Sequence, residues 1–252
     1  MAGLRIERDG AVLWVTLAKA ERRNAFDAEL IRELTEAFAD VGDARAVVLA
    51  GDGPSFCAGA DVEWQRASID LSYVENVEDA LRLYRMLEAI DCCPAPGLVR
   101  AHGYVLGGGS GLVACADIGI AATDAVFGFT EVKLGIIPAV ISPFVLPRIG
   151  AAARRLFVTG ERFGAETALR SGLVDEVAED PDAAVDRVLS ELATSAPGAA
   201  RAAKKLVREG PRDEATTEVA ARLRTGAEGQ EGLRAFLEKR RTAWRSPDDE
   251  VP

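Results

Sequence analysis

Five consecutive residues, Gly107-Gly108-Gly109-Ser110-Gly111, decide how the middle of this chain folds. Apolar, strand-like residues precede this glycine run, and a short apolar helix is predicted to follow it. Because glycine has no Cβ atom, the backbone N–H groups of such a run are open to close approach by a ligand. A helix that begins at the end of the run would add the positive pole of its dipole at the same place. The glycine run therefore predicts a site that holds developing negative charge.

Composition places the chain among globular proteins. Hydrophobic residues make up 48% and charged residues 28% of the 252 residues, which is enough apolar material for a sizeable core. The longest apolar stretches are interrupted by glycine and proline, so the sequence predicts no membrane span. The first residues lack the charged-then-apolar layout of a signal peptide. We therefore expect a cytoplasmic protein that does not act at a membrane.

The net charge and the metal-binding residue types exclude several classes of function. A formal net charge of −10 argues against nucleic acid as a partner, because phosphates require a basic surface. Cys57, Cys92, Cys93 and Cys115 fit no zinc-binding spacing and are expected to be free thiols. His102 is the single histidine, which disfavours a Ser-His-Asp triad and a histidine-ligated metal. We expect no metal centre.

Strand and helix patterns alternate through the first two-thirds of the chain. Alternating residues around Asp9-Gly10 predict a β-hairpin, Asp27 is expected to cap a helix, and residues 78–90 predict another helix. The other predicted strands are residues 46–49, 97–99, 118–121 and 126–127. From about Ala139 onward the pattern is almost entirely helical, with predicted helices at residues 151–159, 165–171, 182–193, 198–208, 213–226 and 231–244. Such alternation is typical of a largely parallel α/β sheet.

A second glycine-containing turn, Ala58-Gly59-Ala60-Asp61, is expected at the same edge of the sheet as the glycine run. Both segments follow a predicted strand and precede a predicted helix, so both present backbone N–H groups at the carboxyl ends of strands. Two N–H groups that converge on one oxygen form an oxyanion hole. Each segment alone is more typical of an ordinary tight turn, but the pair indicates a site for a reacting oxygen.

The chain resembles the enoyl-CoA hydratase/isomerase (crotonase) family over nearly its whole length. The matching segments follow the family's order and are residues 23–26, 56–61, 103–109, 127–138 and 236–240, with Cys115 and Asp117 behind the glycine run. This resemblance implies a crotonase-like α/β fold of repeated ββα units with a helical C-terminal extension. Residues 61–64, 107–112 and 130–143 look most like methylglutaconyl-CoA and isohexenylglutaconyl-CoA hydratases.

The resemblance implies an acyl-CoA thioester as substrate, with coenzyme A as part of that substrate and no permanently bound cofactor. In this family two backbone N–H groups hold the thioester oxygen as it becomes an enolate, and the matching residues here are Ala58 and Gly108. Glu131 matches a general acid/base of the family, and its apolar neighbourhood is expected to raise its pKa. The resemblance assigns substrate and CoA binding to Arg23, Ala25, Ala60, Asp61, Trp64, Gly107, Gly111, Phe236 and Lys239. It also suggests that the last two reach over from a neighbouring subunit.

Gly111 is the residue at which the sequence departs from the family's pattern. Hydratases of this family commonly carry one glutamate at this position and a second at the position of Glu131. With glycine here, two carboxylates cannot orient a water molecule in the usual way. We expect the lost side chain to leave room for a branched or acidic acyl group without like-charge repulsion.

These features lead to one preferred function and two alternatives. The preferred function is hydration of a short or branched enoyl-CoA, with 3-methylglutaconyl-CoA as the narrower candidate. Double-bond isomerisation, or decarboxylation of a glutaconyl-type thioester, needs only one carboxylate and is the first alternative. The second alternative is a catalytically silent acyl-CoA-binding or RNA-binding relative, which the net charge opposes.

The resemblance also predicts how the chain is organised and assembled. We expect an α/β core over residues 1–195, followed by a helical trimerisation region over residues 196–252. The implied assembly is a homotrimer or a hexamer that is a dimer of trimers. An apolar stripe at Leu233, Phe236 and Leu237 fits such packing, although it could equally pack on the chain's own core.

Overall fold

The computed structural model describes residues 3–210 and 213–245. Its strands are β1 (Leu4–Asp9), β2 (Val12–Leu17), β3 (Ala46–Gly51), β4 (Gly97–Ala101), β5 (Tyr104–Leu106), β6 (Ile118–Ala122), β7 (Val126–Gly128), β8 (Arg162–Gly164) and β9 (Glu176–Ala178). Its α-helices are α1 (Ala28–Ala39), α2 (Val62–Ser68), α3 (Tyr73–Asp91), α4 (Gly108–Cys115), α5 (Ser142–Ile149), α6 (Ala153–Thr159), α7 (Ala165–Ser171), α8 (Pro181–Thr194), α9 (Pro197–Glu209), α10 (Ala215–Thr225) and α11 (Ala227–Glu238). Short 3-10 helices cover Ala20–Arg22, Thr130–Leu134 and Gly150–Ala152.

The main sheet has the strand order β1-β2-β3-β4-β6-β9. Strands β1 and β2 form the predicted antiparallel hairpin, with Asp9 opposite Val12 and Gly10 in the left-handed region at φ +55°. The remaining neighbours are parallel, as the alternating pattern predicts. The carboxyl ends of β3 and β4 therefore lie at one edge of the sheet, where the two glycine-containing segments follow.

Helix α1 begins where the sequence predicts it. The carboxylate of Asp27 accepts a hydrogen bond from the backbone N–H of Leu30 at 2.8 Å, which satisfies one of the unpaired donors of the first turn. The apolar stripe of this helix, Leu30, Ile31, Leu34 and Phe38, is buried.

Helix α3 is longer than the sequence pattern predicts. It begins at Tyr73 rather than near residue 78, because Ser72 and Glu75 form a capping box. In this box the backbone N–H of Ser72 donates to Glu75 Oε2 at 2.8 Å. Several residues of the first turns, such as Tyr73 and Val77, are exposed, so the hydrophobic pattern there gives no helical period.

A second, smaller sheet has the order β5-β7-β8 and lies beside the main one. Isolated bridges pair Cys57 with Val105 and Ser55 with Gly103, so the segment before the Ala58 turn runs along β5. Strand β5 leads directly into the glycine run. The small sheet thereby brings the two predicted turns next to each other.

The C-terminal third differs from the prediction in detail. Strands β8 and β9 lie within the region predicted to be almost entirely helical, and β9 pairs with β6 at the edge of the main sheet. Three residues are too few to show a period in the sequence. Helix α5 was not predicted, and the last helix spans Ala227–Glu238 rather than residues 231–244.

The core occupies both faces of the main sheet. Alternate residues of β3 enter opposite clusters, with Val47 and Leu49 on the larger side and Val48 on the side covered by α8. The mixed α/β fold with C-terminal helices confirms the predicted fold class. Within the described residues, none of the helices combines the length and apolar character needed to cross a bilayer.

Candidate active site

The glycine run forms the first turn of α4 instead of preceding it. Gly107 is the N-cap residue, with φ +51° and ψ −118°, a conformation that favours glycine. A Cβ atom on Gly108 would lie 2.6 Å from the ring of Phe26, and one on Gly109 would lie 2.4 Å from the carbonyl oxygen of Cys57. The helix thus begins three to four residues earlier than expected, and the N–H of Gly108 belongs to its unpaired first turn.

The Ala58 turn lies against this helix start. The carbonyl of Gly59 accepts from the N–H of Phe26 at 2.8 Å, and the N–H of Asp61 donates to the carbonyl of Phe26 at 2.7 Å. A Cβ atom on Gly59, whose φ is +95°, would lie 3.0 Å from the carbonyl oxygen of Leu106. The two segments are therefore in contact, as an oxyanion hole requires.

The donor predicted in this turn needs a correction. The N–H of Ala58 donates to the carbonyl of Arg23 at 3.0 Å, so it is not free to bind a ligand. Ala60 lies between Gly59 and Asp61, which both form hydrogen bonds with the backbone of Phe26. Its own N–H has no acceptor among the described residues. The free donor of the turn is Ala60, two residues beyond the predicted one.

A buried asparagine fixes the chain around this turn. Asn24 is fully buried, and its amide nitrogen donates to the carbonyls of Asp52 and Ser55, each at 2.9 Å. Its side-chain oxygen accepts from the N–H of Lys19 at 2.9 Å. Arg23 and Asn24 both adopt left-handed backbone conformations, with φ of +53° and +55°. The amide thus holds three chain segments in place beneath the turn.

Both turns open into one cavity of about 290 Å³. Of the predicted site residues, Ala58, Ala60, Trp64, Gly107, Gly108 and Glu131 line it. The other described residues that line it are Phe26, Gly59, Gln65, Ser68, Asn76, Asp79, Ala80, Leu83, Leu106, Thr130, Leu134, Ile136, Ile137, Pro138, Ala139, Val140 and Ile141.

Glu131 is placed in this cavity by the 3-10 helix that follows β7. One carboxylate oxygen, Oε1, lies 3.0 Å from where a Cβ atom of Gly107 would be. The other oxygen, Oε2, is buried and has no hydrogen-bond partner among the described residues. Burial raises the pKa of Glu131, which confirms the direction expected from its apolar neighbours. A half-buried carboxylate with an unpaired oxygen is poised to exchange a proton with a ligand.

The space at Gly111 is filled, contrary to the expectation that it would be open. A Cβ atom on Gly111 would lie 2.8 Å from Cγ2 of Ile141 and 3.5 Å from Cδ2 of Leu87. Gly111 itself is buried and does not line the cavity, whereas Ile141 does. An isoleucine that lies 30 residues along the chain therefore occupies the position of the missing side chain.

Several predicted binding residues lie outside the cavity. Asp61 caps α2 by accepting from the N–H of Glu63 at 2.8 Å, and it forms an ion pair with Arg22 at 3.0 Å. Ala25 is buried beside Asn24. The structure thus gives Asp61 a structural role at the start of α2.

Arg23, another of the predicted CoA-binding residues, is exposed and does not line the cavity. Its guanidinium lies 5.7 Å from the ring centroid of Tyr104, and Arg162 lies 5.5 Å from the same ring. Two guanidinium groups therefore contact one aromatic ring near the Ala58 turn. Phe236 is 80% exposed on α11, and Lys239 ends that helix with φ +54°; neither lines the cavity.

Apart from Trp64, the side chains of α2 and α3 that line the cavity were not predicted from the sequence. Asn76, Ala80, Leu83 and Leu87 recur at helical spacing along α3, and all but Leu87 line the cavity. This spacing was the available signal, but it mixes polar and apolar residues. Cys57 does not line the cavity, and burial raises the pKa of its thiol to about 12.

Comparisons with known proteins establish the family of this chain. The family model for enoyl-CoA hydratase/isomerase matches residues 7–247. A cyclohexa-1,5-dienecarbonyl-CoA hydratase from Thauera aromatica is 33% identical over 251 residues, covering 95% of each chain. The crystal structure of an enoyl-CoA hydratase from Shewanella pealeana has a TM-score of 0.92 at 37% identity and covers 96% of each chain. Pseudomonas aeruginosa AtuE has a TM-score of 0.91 at 36% identity, covering 97% of this chain and 100% of that one. This chain belongs to the enoyl-CoA hydratase/isomerase family.

Proposed function

We propose that this protein adds water to the double bond of a short or branched enoyl-CoA thioester. The backbone N–H groups of Ala60 and Gly108 hold the thioester oxygen as it gains negative charge. Donors fixed in advance at such a place are each worth about 3–4 kcal/mol of transition-state stabilisation. The single observation that carries the proposal is the unpaired, buried oxygen of Glu131 in the same cavity.

In this mechanism Glu131 acts first as a base and then as an acid. Its carboxylate takes a proton from water while the water oxygen bonds to Cβ of the enoyl group. The electron pair of the double bond moves toward the thioester oxygen and forms an enolate. Glu131 then returns the proton to Cα, and the enolate collapses to the saturated 3-hydroxyacyl thioester. The raised pKa of Glu131 suits it to both steps.

Isomerisation or decarboxylation on the same scaffold is the second candidate. Ile141 fills the space beside Gly111, so no second carboxylate shares in orienting water at that position. Moving one proton between two carbons needs only one carboxylate.

The products distinguish these reactions when the protein is incubated with crotonyl-CoA and with 3-methylglutaconyl-CoA. Hydration adds the mass of water, isomerisation leaves the mass unchanged, and decarboxylation removes carbon dioxide. A mass increase of one water supports our proposal, and its absence with every enoyl-CoA tested would overturn it.

The side chains that line the cavity, and not the reacting groups, limit the range of acyl groups that the protein accepts. 3-Methylglutaconyl-CoA differs from a neutral branched enoyl-CoA in carrying a carboxylate at the far end of its acyl group. Ala60, Gly108 and Glu131 would serve both substrates equally. The side chains around the acyl group must therefore distinguish them.

We propose a homotrimer, or a dimer of trimers, formed through the region of residues 196–252. Leu233, Phe236 and Leu237 are 47%, 80% and 77% exposed on α11 of the single chain, so this stripe is available to a second copy. Phe236 and Lys239 would then reach a neighbouring subunit's ligand, while Arg23 would lie near the CoA phosphates. Residues 211–212 and 246–252 lie outside the described residues.

Light scattering measures the assembly, and a Phe236→Asp variant should shift it toward smaller species. A cytoplasmic location stays a prediction.

A further inference from the structure

We infer that the α2–α3 wall of the cavity selects acyl groups that carry an uncharged hydrogen-bond donor and disfavours acyl groups that end in a carboxylate. The wall consists of Gln65, Ser68, Asn76 and Asp79, all of which line the cavity. The inference rests on the proposed function in taking an acyl-CoA thioester as the ligand. It concerns recognition of the acyl group and not the reaction at its double bond.

The wall lies apart from the reacting groups. Leu87 of α3 lies against Gly111, as does Ile141, which lines the cavity. Asp79 precedes Leu87 by eight residues, so it lies about 12 Å farther along the helix axis. Leu83, midway between them, lines the cavity on the same helix face. Asp79 is thus too far along α3 to replace the carboxylate that is missing at Gly111, and it meets a different part of the ligand.

The charges that line the cavity are acidic. Glu131 and Asp79 are its ionisable lining residues, and no lysine or arginine among the described residues lines it. The Asp79 side chain is only 13% exposed. Arg82 binds Oδ1 of Asp79 at 2.6 Å but is itself 53% exposed and outside the cavity. A carboxylate that reaches this wall would meet the like charge of Asp79 in a partly desolvated place, with no cation lining the cavity to pair with it.

Apart from the Gln65 amide, which can both donate and accept, the hydrogen-bonding groups left free on the wall are acceptors. The amide nitrogen of Asn76 is used by the carbonyls of Leu71 at 3.0 Å and Ser72 at 3.1 Å, which leaves its side-chain oxygen as an acceptor. The hydroxyl of Ser68 donates to the carbonyl of Gln65 at 2.7 Å. Oδ2 of Asp79 has no hydrogen bond among the described residues. A ligand group that donates, such as a hydroxyl, matches these free acceptors.

Binding of saturated acyl-CoA esters tests this inference without any turnover. The three probes are pentanoyl-CoA, 5-hydroxypentanoyl-CoA and glutaryl-CoA, which match in chain length and differ in the terminal group. Isothermal titration at neutral pH should give glutaryl-CoA a Kd about tenfold weaker than that of pentanoyl-CoA. The hydroxylated ester should bind at least as tightly as pentanoyl-CoA. Equal or tighter binding of glutaryl-CoA, or weaker binding of the hydroxylated ester, would overturn the inference.

Two variants assign the effect to the wall. Asp79→Asn removes one like charge and should bring the Kd of glutaryl-CoA to within about threefold of the Kd of pentanoyl-CoA. Glu78→Gln removes the adjacent exposed carboxylate, which does not line the cavity, and should leave the difference unchanged. A difference that persists in Asp79→Asn, with circular dichroism showing an intact fold, rules out Asp79 as its origin. Because these esters cannot be hydrated, a failure of the proposed hydratase activity on crotonyl-CoA leaves this binding result interpretable.

Discussion

Backbone atoms line one side of the cavity, and side chains line the other. The side with Ala60 and Gly108 is made of backbone, and a Cβ atom on Gly108 or Gly109 would collide with Phe26 or Cys57. The opposite side is made of side chains, from Ile141 and from the α2–α3 wall. Backbone groups held by close contacts tolerate little change, whereas side chains can be exchanged one at a time. The comparison indicates that the first side fixes the chemistry and the second selects the acyl group.

The largest effect is expected from Glu131→Gln, which removes the proton carrier that lies between the two sides. The kcat for hydration of crotonyl-CoA, measured through the decrease in absorbance of the enoyl group, should fall by about 10³-fold or more. Binding of pentanoyl-CoA should change by less than about twofold, since the amide keeps the shape of the side chain. Glu179→Gln, at an exposed residue, serves as the control. Turnover near the wild-type rate in Glu131→Gln would remove the basis of the mechanism.

Gly108→Ala tests whether the backbone side tolerates a single methyl group. Its Cβ atom would lie 2.6 Å from the Phe26 ring, so either the ring or the N–H of residue 108 must move. We expect kcat/KM to fall by about 10²-fold, the effect of losing one oxyanion donor. Gly164→Ala is the matched control, because its Cβ atom would have no described neighbour within 4 Å and its φ is −83°. Unchanged kcat/KM in Gly108→Ala would show that this donor takes no part.

Gly111 and Ile141 test whether the side-chain side is exchangeable. Gly111→Glu alone should lower the free energy of unfolding by about 1–3 kcal/mol, because its Cβ atom meets Ile141. Ile141→Ala alone should cost about 2–5 kcal/mol through the cavity it leaves. The double variant should lose at least about 1 kcal/mol less than the sum of the two, as measured by urea unfolding. Strict additivity would mean that the two side chains do not share one space.

The smallest expected effect is on the pH dependence of stability. Because burial raises the pKa of Glu131 in the folded state, folding favours its protonated form. The stability that this preference contributes is present below the unfolded pKa and is lost as the pH rises through the folded pKa. Glu131→Gln should therefore have a higher Tm than the wild type at neutral pH, and the difference should shrink toward about pH 4. A lower Tm at neutral pH would indicate that the ionised carboxylate has a partner.

The same pKa shift also governs activity. General-base action needs the ionised carboxylate, so kcat/KM should fall on the acid side as Glu131 becomes protonated. The midpoint of that fall should lie above the ordinary value for glutamate, about 4.3. A midpoint at or below this value would contradict the burial of the group in the working enzyme.

Prediction from sequence succeeded where local chemistry determines the structure. The hairpin at Asp9-Gly10 and the cap at Asp27 are set by residues close together in the chain. Strand β9 was not predicted, because its three residues form a strand only by pairing with β6. Sequence patterns within one segment also carry no information about its contacts with distant segments.

The same distinction explains the outcome at the candidate site. Gly107, Gly108 and Glu131 were singled out from the sequence, and all three line the cavity. The donor predicted at Ala58 is replaced by Ala60 in our proposal, because the N–H of Ala58 is bound by the carbonyl of Arg23, 35 residues earlier in the chain. The contact of Ile141 with Gly111 likewise joins distant segments, and no local pattern reveals it.

The buried amide of Asn24 has a consequence for the energetics of each catalytic cycle. Its three hydrogen bonds join the segments at Lys19, Asp52 and Ser55, close to the carbonyl of Arg23 that orients the Ala58 turn. With this turn held by the fold itself, the proposed donor at Ala60 does not have to be ordered when a thioester arrives. The enzyme then begins each cycle with little reorganisation energy on this side of the cavity.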